Sequence, residues 1–228
     1  MAEDAGMDAT VIRCDVSCDD SLAAAAETMA AGAKLHTLVH SIAYAPAAAM
    51  KGPFSSTTRA DFSTAMDVSV FSLLAVTQAF LPCLVPADGE HSSLQALTYL
   101  GSSRVSHTVV SQHTVQSMIH SMQVAPDYAV MGPCKAALEA SVRQLASELG
   151  PRGVTANSIS AGPIKTLAAR GITNFSELAS SAQQRQLGSG VLSPAAVGAM
   201  SVFLGSPGAA AVTGQTLFVD NGFSAALQ

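Results

Sequence analysis

Tyr128 and Lys135 stand seven residues apart, and a phenol close to an ammonium group can do acid chemistry. A continuous helix would place the two residues about 10 Å apart on nearly the same face. Pro133 costs about 3 kcal/mol inside a helix and is harmless at its first position, so we expect the helix to begin near Gly132 or Pro133. Tyr128 would then lie on the preceding loop. The ammonium would favour the phenolate and make the phenol a better proton donor to a developing enolate or alkoxide.

Polar residues also follow the predicted strands at the points where these strands end. Ligands of open α/β sheets bind beyond the carboxyl ends of the strands, so residues at these points are the first candidates for a site. With Tyr128 and Lys135 they would bring two phenols, an ammonium group and a carboxylate into one crevice. The candidate strand ends are Cys14–Val16, Ser41–Tyr44, Thr98–Gly101 and Ser160–Ile164.

The elements that must position these residues alternate along the chain. Short runs of β-branched residues are separated by longer segments rich in Ala and Leu, which is typical of βαβ units. The sequence therefore predicts an α/β fold with a Rossmann-like, doubly wound parallel sheet, in one domain over residues 1–228. The predicted strands are residues 11–16, 35–42, 94–100, 154–159 and 216–219. The predicted helices are one capped by Asp19 or Asp20 that ends near residue 31, and residues 59–81, 136–149 and 194–203.

Composition limits the classes of partner. Of the 228 residues, 49% are hydrophobic and 12% are charged, which excludes a disordered tail or a coiled coil. The formal net charge is −5 and the 11 Lys and Arg residues are scattered, so we expect neither nucleic acid nor membrane lipid as a partner. The longest apolar stretch, residues 71–86, is shorter than the ~18 residues that indicate a membrane span, and we expect no targeting segment in this chain.

Cysteine and histidine residues do not form a metal-binding pattern. The four cysteines lack paired C-x-x-C spacing and stand in unlike contexts, so we expect reduced thiols. Three histidines between His107 and His120 have no Cys, Asp or Glu beside them. We therefore expect no metal site.

Five segments occur in an order that is typical of one enzyme family. The spacing Tyr-x6-Lys is specific, because other short-chain dehydrogenases use Tyr-x3-Lys. By these segments the sequence resembles the NADH-dependent enoyl-acyl-carrier-protein reductases of type II fatty acid synthesis, in the short-chain dehydrogenase/reductase superfamily. The segments are His40–Pro46, Leu97–Gly101, Tyr128–Lys135, Asn157–Ala168 and Val212–Gly222.

The resemblance implies hydride transfer from NADH to the β carbon of a trans-2-enoyl thioester on acyl carrier protein. Tyr128 would hydrogen-bond the thioester carbonyl and stabilise the enolate. Lys135 would hold the hydroxyls of the nicotinamide ribose and bias Tyr128. Tyr99 would border the acyl pocket with Met131, and Ala45 would belong to the same substrate site. Outside the family motif, Tyr99 would be a packing residue.

The resemblance also assigns residues to the dinucleotide. Asp15 would accept the adenine amino group with Val16 beside the ring, although Asp15 is equally typical of a turn or a helix cap. The adjacent His40 is expected to be a satisfied core histidine. The other implied cofactor residues are Ser41, Ile42 and Ala43 for the adenosine, Ile164 for the carboxamide, and Thr166 and Ala168 for the pyrophosphate.

The sequence departs from the family pattern in two main places. The Gly-rich turn that faces the pyrophosphate is absent, and residues 11–16 match the family's third strand. We therefore expect an N-terminally incomplete fold that lacks the first two strands and exposes an apolar edge. Residues 106–125 form an insertion where the family has a short link, and Lys165 replaces the more usual Arg.

Two other functions stay open at this point. One is a carbonyl-reducing short-chain dehydrogenase, and the other is a non-catalytic fragment that binds intact subunits through its long helices. The resemblance implies a homo-oligomer, a tetramer in this family, and the helices at residues 62–81 and 136–149 have apolar faces wide enough for a neighbour. It implies the cytoplasm if the protein is bacterial and the plastid stroma if it is algal or plant.

Overall fold

The computed structural model describes residues 9–30, 34–51, 53–84, 86, 90–102, 128–164, 166 and 175–226. Within these residues the chain forms four β-strands and six α-helices. The predicted insertion at residues 106–125, with its three histidines, lies outside them, as do Lys165 and Ala168.

The described strands form one parallel sheet in the order β1-β2-β3-β4. The strands are β1 at Thr37–His40, β2 at Ser92–Tyr99, β3 at Val154–Ala161 and β4 at Thr216–Val219. Every residue of β2 and β3 is buried or half-buried, as expected for a parallel sheet covered on both faces. The predicted α/β class and its Rossmann-like parallel sheet are confirmed.

Six α-helices accompany this sheet in the described residues. A π-helical turn at Asp67–Phe71 joins the second helix to the third, so that Arg59–Leu84 is one long helix with an extra residue in its middle. The helices are α1 at Asp19–Ala30, α2 at Arg59–Met66, α3 at Ser72–Leu84, α4 at Met131–Leu149, α5 at Phe175–Gln184 and α6 at Pro194–Leu204. The predicted helices at 59–81, 136–149 and 194–203 are confirmed, whereas α5 was not predicted.

The core lies on both faces of the sheet because neighbouring residues of a strand point to opposite sides. On one face, Leu94 of β2 packs in a buried cluster with Leu73 of α3 and Leu138 of α4. On the other face, Ile159 of β3 packs with Leu204 of α6. Helices α3 and α4 therefore cover one side of the sheet and α6 covers the other.

Among the described helices, the stretch Arg59–Leu84 is long and apolar enough to cross a membrane by length and composition. Here it lies against protein. Leu73 and Leu84 are fully buried in the cluster that covers the sheet, and Val76 packs against Leu22 of α1. We interpret the stretch as a core helix, which passes the same test of length and composition.

The predicted strand at residues 11–16 is wrong. No described strand forms there, and Val11 is 93% exposed. A strand needs a neighbour for its backbone groups, and within the described residues this segment has none. The Asp15 carboxylate instead accepts hydrogen bonds from the backbone N–H of Ser17 at 3.0 Å and from its hydroxyl at 2.6 Å. These bonds close a turn ahead of α1, which is the alternative role considered for Asp15.

The short turn between α4 and β3 contains two glycines, Gly150 and Gly153, with different surroundings. Gly153 has φ +76°, and a Cβ there would lie 2.9 Å from Cγ of Pro86, whereas a Cβ on Gly150 would meet nothing within 4 Å. We expect Gly153→Ala to lower the free energy of unfolding by about 1–2 kcal/mol. Urea unfolding followed by circular dichroism measures this change. Gly150→Ala is the matched control and should be neutral or slightly stabilising, and equal losses in both variants would contradict the assignment.

Candidate active site

The carboxyl ends of β1, β2 and β3 lie along one edge of the sheet, because these strands are parallel neighbours. The short 3-10 turn Leu100–Ser102 follows β2 and lies against the start of α4. The polar residues that the sequence places at these strand ends are therefore brought to the same edge as the amino end of α4. This edge is the place where ligands of open α/β sheets bind.

Tyr128 packs against the end of β2. Its ring centroid lies 5.2 Å from that of Tyr99, and the two rings are tilted by 60°. Gly101 makes this approach possible, because a Cβ at that position would lie 2.8 Å from Cδ1 of Tyr128. The predicted pair of phenols is therefore assembled from β2 and the loop before α4.

The segment between Tyr128 and α4 is a tight turn. The Tyr128 carbonyl accepts a hydrogen bond from the backbone N–H of Met131 at 2.9 Å, and Ala129 has φ +31°, which is unusual for a residue with a Cβ. Helix α4 begins at Met131, within two residues of the predicted start, and Pro133 lies in its first turn, where its missing N–H is not needed. The prediction that Tyr128 lies on the loop before the helix is confirmed.

Burial sets the protonation state of both phenols. Loss of solvation raises the pKa of Tyr99 to about 12 and raises the pKa of Tyr128 further, with a smaller contribution from the charge of the neighbouring tyrosine. Both side chains are therefore neutral phenols at physiological pH. The expectation that an ammonium group favours the Tyr128 phenolate is not met in this structure, since burial acts in the opposite direction. In this neutral form each tyrosine hydroxyl can donate a hydrogen bond, but it cannot act as a base.

Lys135 is 6% exposed, and its ammonium group lies under the end of β2. The ammonium nitrogen donates a hydrogen bond to the carbonyl oxygen of Leu97 at 2.6 Å. Burial lowers the pKa of Lys135 to about 8, because the charged form loses solvation. Lys135 is therefore not one of the solvated lysines that are common at the surface of a helix.

An apolar cluster surrounds the two tyrosines and contains all four residues predicted to bind substrate. Tyr128 and Met131 are buried in it, and Tyr99 and Ala45 pack against it. The remaining members come from the helix Arg59–Leu84, from α4 and the turn before it, and from the segment after β1. They are Ala49, Met50, Ala65, Met66, Val70, Val130, Cys134 and Ala137.

Ser69 positions the loop after β1 and was not predicted. It lies in the π-helical turn and is fully buried. Its hydroxyl accepts a hydrogen bond from the backbone N–H of Tyr44 at 2.9 Å and donates one to the Tyr44 carbonyl at 2.8 Å. The loop between β1 and Ala45 is therefore fixed by the backbone of Tyr44, whose own side chain is 53% exposed. The signal available in the sequence was a serine between the two apolar residues Val68 and Val70.

His40, at the end of β1, is 1% exposed, as expected for a core histidine. Its Nε2 lies 2.8 Å from the hydroxyl of Ser72, but its Nδ1 has no hydrogen-bond partner in the described structure. The prediction that both ring nitrogens of this core histidine are hydrogen-bonded is therefore met for Nε2 only. Burial, helped by the nearby charge of Lys135, lowers the pKa of His40 to about 4.

The residues predicted for the dinucleotide separate into three groups. Ser41, Ile42 and Ala43 directly follow β1, and Ile164 follows β3 after Gly162 and Pro163, so both sets lie at the site edge. Thr166 is exposed and Ala168 lies outside the described residues. Asp15 is exposed in its own turn, and Val16 packs against the cluster between α1 and α3.

The described donors fit the predicted dinucleotide at its nicotinamide end. The Lys135 ammonium has three N–H groups, and in the described contacts Leu97 takes one of them, which leaves two for a ribose diol. Backbone groups at the end of β3 lie on the same sheet edge and suit a carboxamide. Within the described residues no group of three His, Cys, Asp or Glu side chains could hold a metal ion.

A separate groove of about 550 Å³ lies between α6 and β4. Leu192, Met200, Phe218 and Asn221 are among the residues that line it. None of the residues predicted for catalysis or binding belongs to its lining, so it is not part of the candidate active site.

The pKa of His40 predicts how stability depends on pH. As the pH falls below the ordinary histidine pKa of 6.5, His40 becomes protonated in the unfolded chain. In the folded chain it stays neutral until about pH 4. We expect this difference to lower the free energy of unfolding by up to about 3 kcal/mol between pH 6.5 and pH 4. Urea unfolding gives the free energy of unfolding at pH 7 and at pH 4.5, and the decrease between the two should be smaller for His40→Gln than for the wild type. His36→Gln, an exposed histidine nearby, is the control, and an unchanged loss in His40→Gln would refute the assignment.

Comparison with known proteins agrees with this geometry. The family model described as enoyl-(acyl carrier protein) reductase matches residues 1–114 and 111–224. Enoyl-acyl-carrier-protein reductase (NADH) FabI of Aquifex aeolicus is 37% identical over 214 residues, which cover 93% of this chain and 71% of the relative. The enzyme of the same name from Bacillus cereus is 36% identical over 219 residues, which cover 96% of this chain and 77% of the relative.

Solved structures give the same result. The Bacillus cereus enoyl-acyl carrier protein reductase with NADP+ and indole naphthyridinone has a TM-score of 0.84 at 34% identity, covering 98% of this chain and 78% of that one. The Aquifex aeolicus enzyme has a TM-score of 0.82 at 37% identity with the same coverages. The chain belongs to the enoyl-acyl-carrier-protein reductase family of short-chain dehydrogenase/reductase folds.

Proposed function

We propose that this protein uses NADH to reduce trans-2-enoyl groups on acyl carrier protein to acyl groups, as a step of type II fatty acid synthesis. The observation that carries the proposal is the contact between the half-buried Tyr99 ring and the buried Tyr128 ring, within an apolar cluster beside the start of α4. FabI relatives named as NADH-dependent enoyl-acyl-carrier-protein reductases support it.

Lys135 and the strand ends are the proposed holders of the cofactor. When bound, NADH supplies the hydride that reduces the double bond. The Lys135 ammonium would hold the ribose hydroxyls, while Ser41, Ile42 and Ala43 would line the adenosine side and Ile164 the carboxamide. Asp15, Val16, Thr166 and Ala168 stay predictions for the remaining parts of the dinucleotide.

Tyr128 is the proposed electrostatic catalyst. Its neutral phenol would donate a hydrogen bond to the thioester carbonyl oxygen, where negative charge develops as the β carbon is reduced. Because the phenol is buried and packed on Tyr99, it would be oriented before substrate arrives and would exclude water from the carbonyl. Tyr99, Met131 and Ala45 would form the wall that receives the acyl chain.

The first test compares substrates and a phenol-deleting variant. We expect the purified protein to oxidise NADH with crotonyl thioester and not with a 3-ketoacyl thioester. Tyr128→Phe keeps the ring contact with Tyr99 and should lower kcat about 100-fold, because one hydrogen bond to the developing oxyanion is lost. NADH absorbance at 340 nm gives both rates.

Tyr44→Phe is the matched control, because the Tyr44 hydroxyl belongs to an exposed side chain outside the apolar cluster. Oxidation of NADH with the ketone alone would favour the carbonyl-reducing alternative. No NADH oxidation, together with co-purification of an intact homologue, would favour the non-catalytic fragment.

We also propose that the protein is a homo-oligomer, as a tetramer in the complete assembly. The long helix carries two exposed aromatic residues, with Phe62 38% exposed and Phe71 50% exposed. Apolar side chains exposed on one helix are typical of a surface that another subunit covers. The single-domain interpretation of residues 1–228 and the compartment, cytoplasm in a bacterium or plastid stroma in an alga or plant, stay predictions.

Light scattering after size exclusion tests the oligomer. The wild type should have a mass that is a multiple of 23.1 kDa, and Phe71→Glu should shift the protein to a smaller species. Phe54→Glu is the control, since Phe54 is 51% exposed but lies outside the long helix. A wild-type monomer would rule out the proposal.

A further inference from the structure

Two consecutive residues of β2 are hydrogen-bonded to α4. The carbonyl of Leu97 accepts from the Lys135 ammonium, and the hydroxyl of the next residue, Thr98, donates to the Glu139 carboxylate at 2.6 Å. Lys135 and Glu139 are four residues apart, so they lie one turn apart on the same face of α4. Thr98 is 5% exposed, and Glu139 is half-buried. The two bonds together fix the segment of β2 that leads into Tyr99.

Glu139 is a charged residue beside the end of β2, and the proposed reaction gives it no role. A half-buried carboxylate loses solvation, and the Thr98 hydroxyl replaces only part of it. An uncharged residue would cover the sheet at a lower cost in solvation. The position one turn from a buried ammonium indicates a role for the charge itself.

The side chains of His40, Cys134, Tyr99 and Tyr128, which belong to the elements around Lys135, carry no charge around neutral pH. Burial lowers the pKa of His40, at the end of β1, to about 4, and it raises the pKa of Cys134, on α4 itself, to about 11. Tyr99, at the end of β2, and Tyr128, on the loop before α4, are neutral phenols. Glu139 is therefore the described residue near Lys135 whose charge favours the ammonium form.

We propose that Glu139 is a positioning residue that acts through Lys135 and Thr98. Its negative charge keeps the buried Lys135 ammonium protonated, and its hydrogen bond to Thr98 holds the end of β2 against α4. Glu139 does not itself touch the reacting atoms. The inference rests on the proposed function only for the use that the reaction makes of the Lys135 ammonium.

The pKa of Lys135 supports this arrangement. Burial lowers it to about 8, while Cys134 and, by a smaller amount, Glu139 act in the opposite direction and raise it. Because burial raises the pKa of the Cys134 thiol to about 11, that thiol is uncharged around neutral pH and the carboxylate of Glu139 is the group that acts there. Removing that charge should therefore lower the pKa of Lys135 further, and the ammonium would deprotonate within the physiological range. Activity that depends on the ammonium would then be lost at lower pH.

The direct test is a titration of the lysine side chains by NMR, which needs no turnover. The chain has four lysines, so 13Cε-labelled lysine gives a small set of signals, and Lys135→Arg assigns the one of interest. We expect Glu139→Gln, which keeps a hydrogen-bond acceptor for Thr98, to move the Lys135 midpoint down by about half a pH unit or more. Thr98→Val, which removes the hydrogen bond and keeps the charge, should move it by less than about 0.2 units.

Glu148→Gln is the matched control, because it makes the same charge change at an exposed position of α4 and should leave the Lys135 midpoint in place. Glu139→Asp keeps the charge and should stay close to the wild type. Glu139→Ala is the substitute if Glu139→Gln does not fold. An unchanged midpoint in the variants that lack the Glu139 charge, or an equal shift in Glu148→Gln, would overturn the proposal.

The same variants change the pH profile of turnover. The alkaline limb of kcat/KM with NADH and crotonyl thioester should move to lower pH in Glu139→Gln and return towards the wild type in Glu139→Asp. A merely structural residue would lower kcat/KM at all pH values without moving the limb. If the wild type does not turn over the thioester, the proposed function fails, while the NMR titration still decides the role of Glu139.

Discussion

The hydrogen bond between the Lys135 ammonium and the Leu97 carbonyl is the contact on which the geometry of the site depends. It joins α4 to β2 at the level where the strand ends, and it does so with a cation that is almost fully buried. A buried ammonium without such a partner would be strongly destabilising, so the helix cannot slide along the strand without a large loss. The start of α4, and with it the turn that carries Tyr128, is thereby held against Tyr99. The position of the phenols follows from the position of the lysine.

Tyr128 shows how one environment can serve packing and chemistry together. Its ring belongs to the same apolar cluster as Met131 and Ala45, and the burial that makes it a core residue also keeps its hydroxyl protonated. A protonated phenol in an apolar wall is suited to meet an oxyanion, because few competing water molecules reach it. The absence of a side chain on Gly101 is what lets the ring come so close to the strand end.

Local patterns in the sequence were sufficient to predict the parallel sheet and the described α-helices other than α5. β-branched runs and the Pro133 position act over a few residues, so β4, α6 and the start of α4 fall close to their predicted places. The predicted strand at 11–16 failed because strand formation depends on a partner, which composition does not reveal. The neutral state of Tyr128 also could not be predicted, since it depends on burial by residues distant in sequence. Ser69 and Glu139 were missed for the same reason, because each acts on a segment more than twenty residues away.

Because of the π-helical turn at Asp67–Phe71, the two ends of the long helix point their apolar residues in different directions. An additional residue in one turn rotates everything beyond it by about 100° around the helix axis. Ala65 and Met66, before the turn, face the apolar cluster around the tyrosines, whereas Leu73 and Leu84, after it, face the hydrophobic layer on the sheet. A straight α-helix with the same residues would have to turn one of these sets away from its layer. The irregular turn therefore shifts the helical phase, so that one continuous helix contributes to the apolar cluster around the tyrosines at one end and to the layer on the sheet at the other.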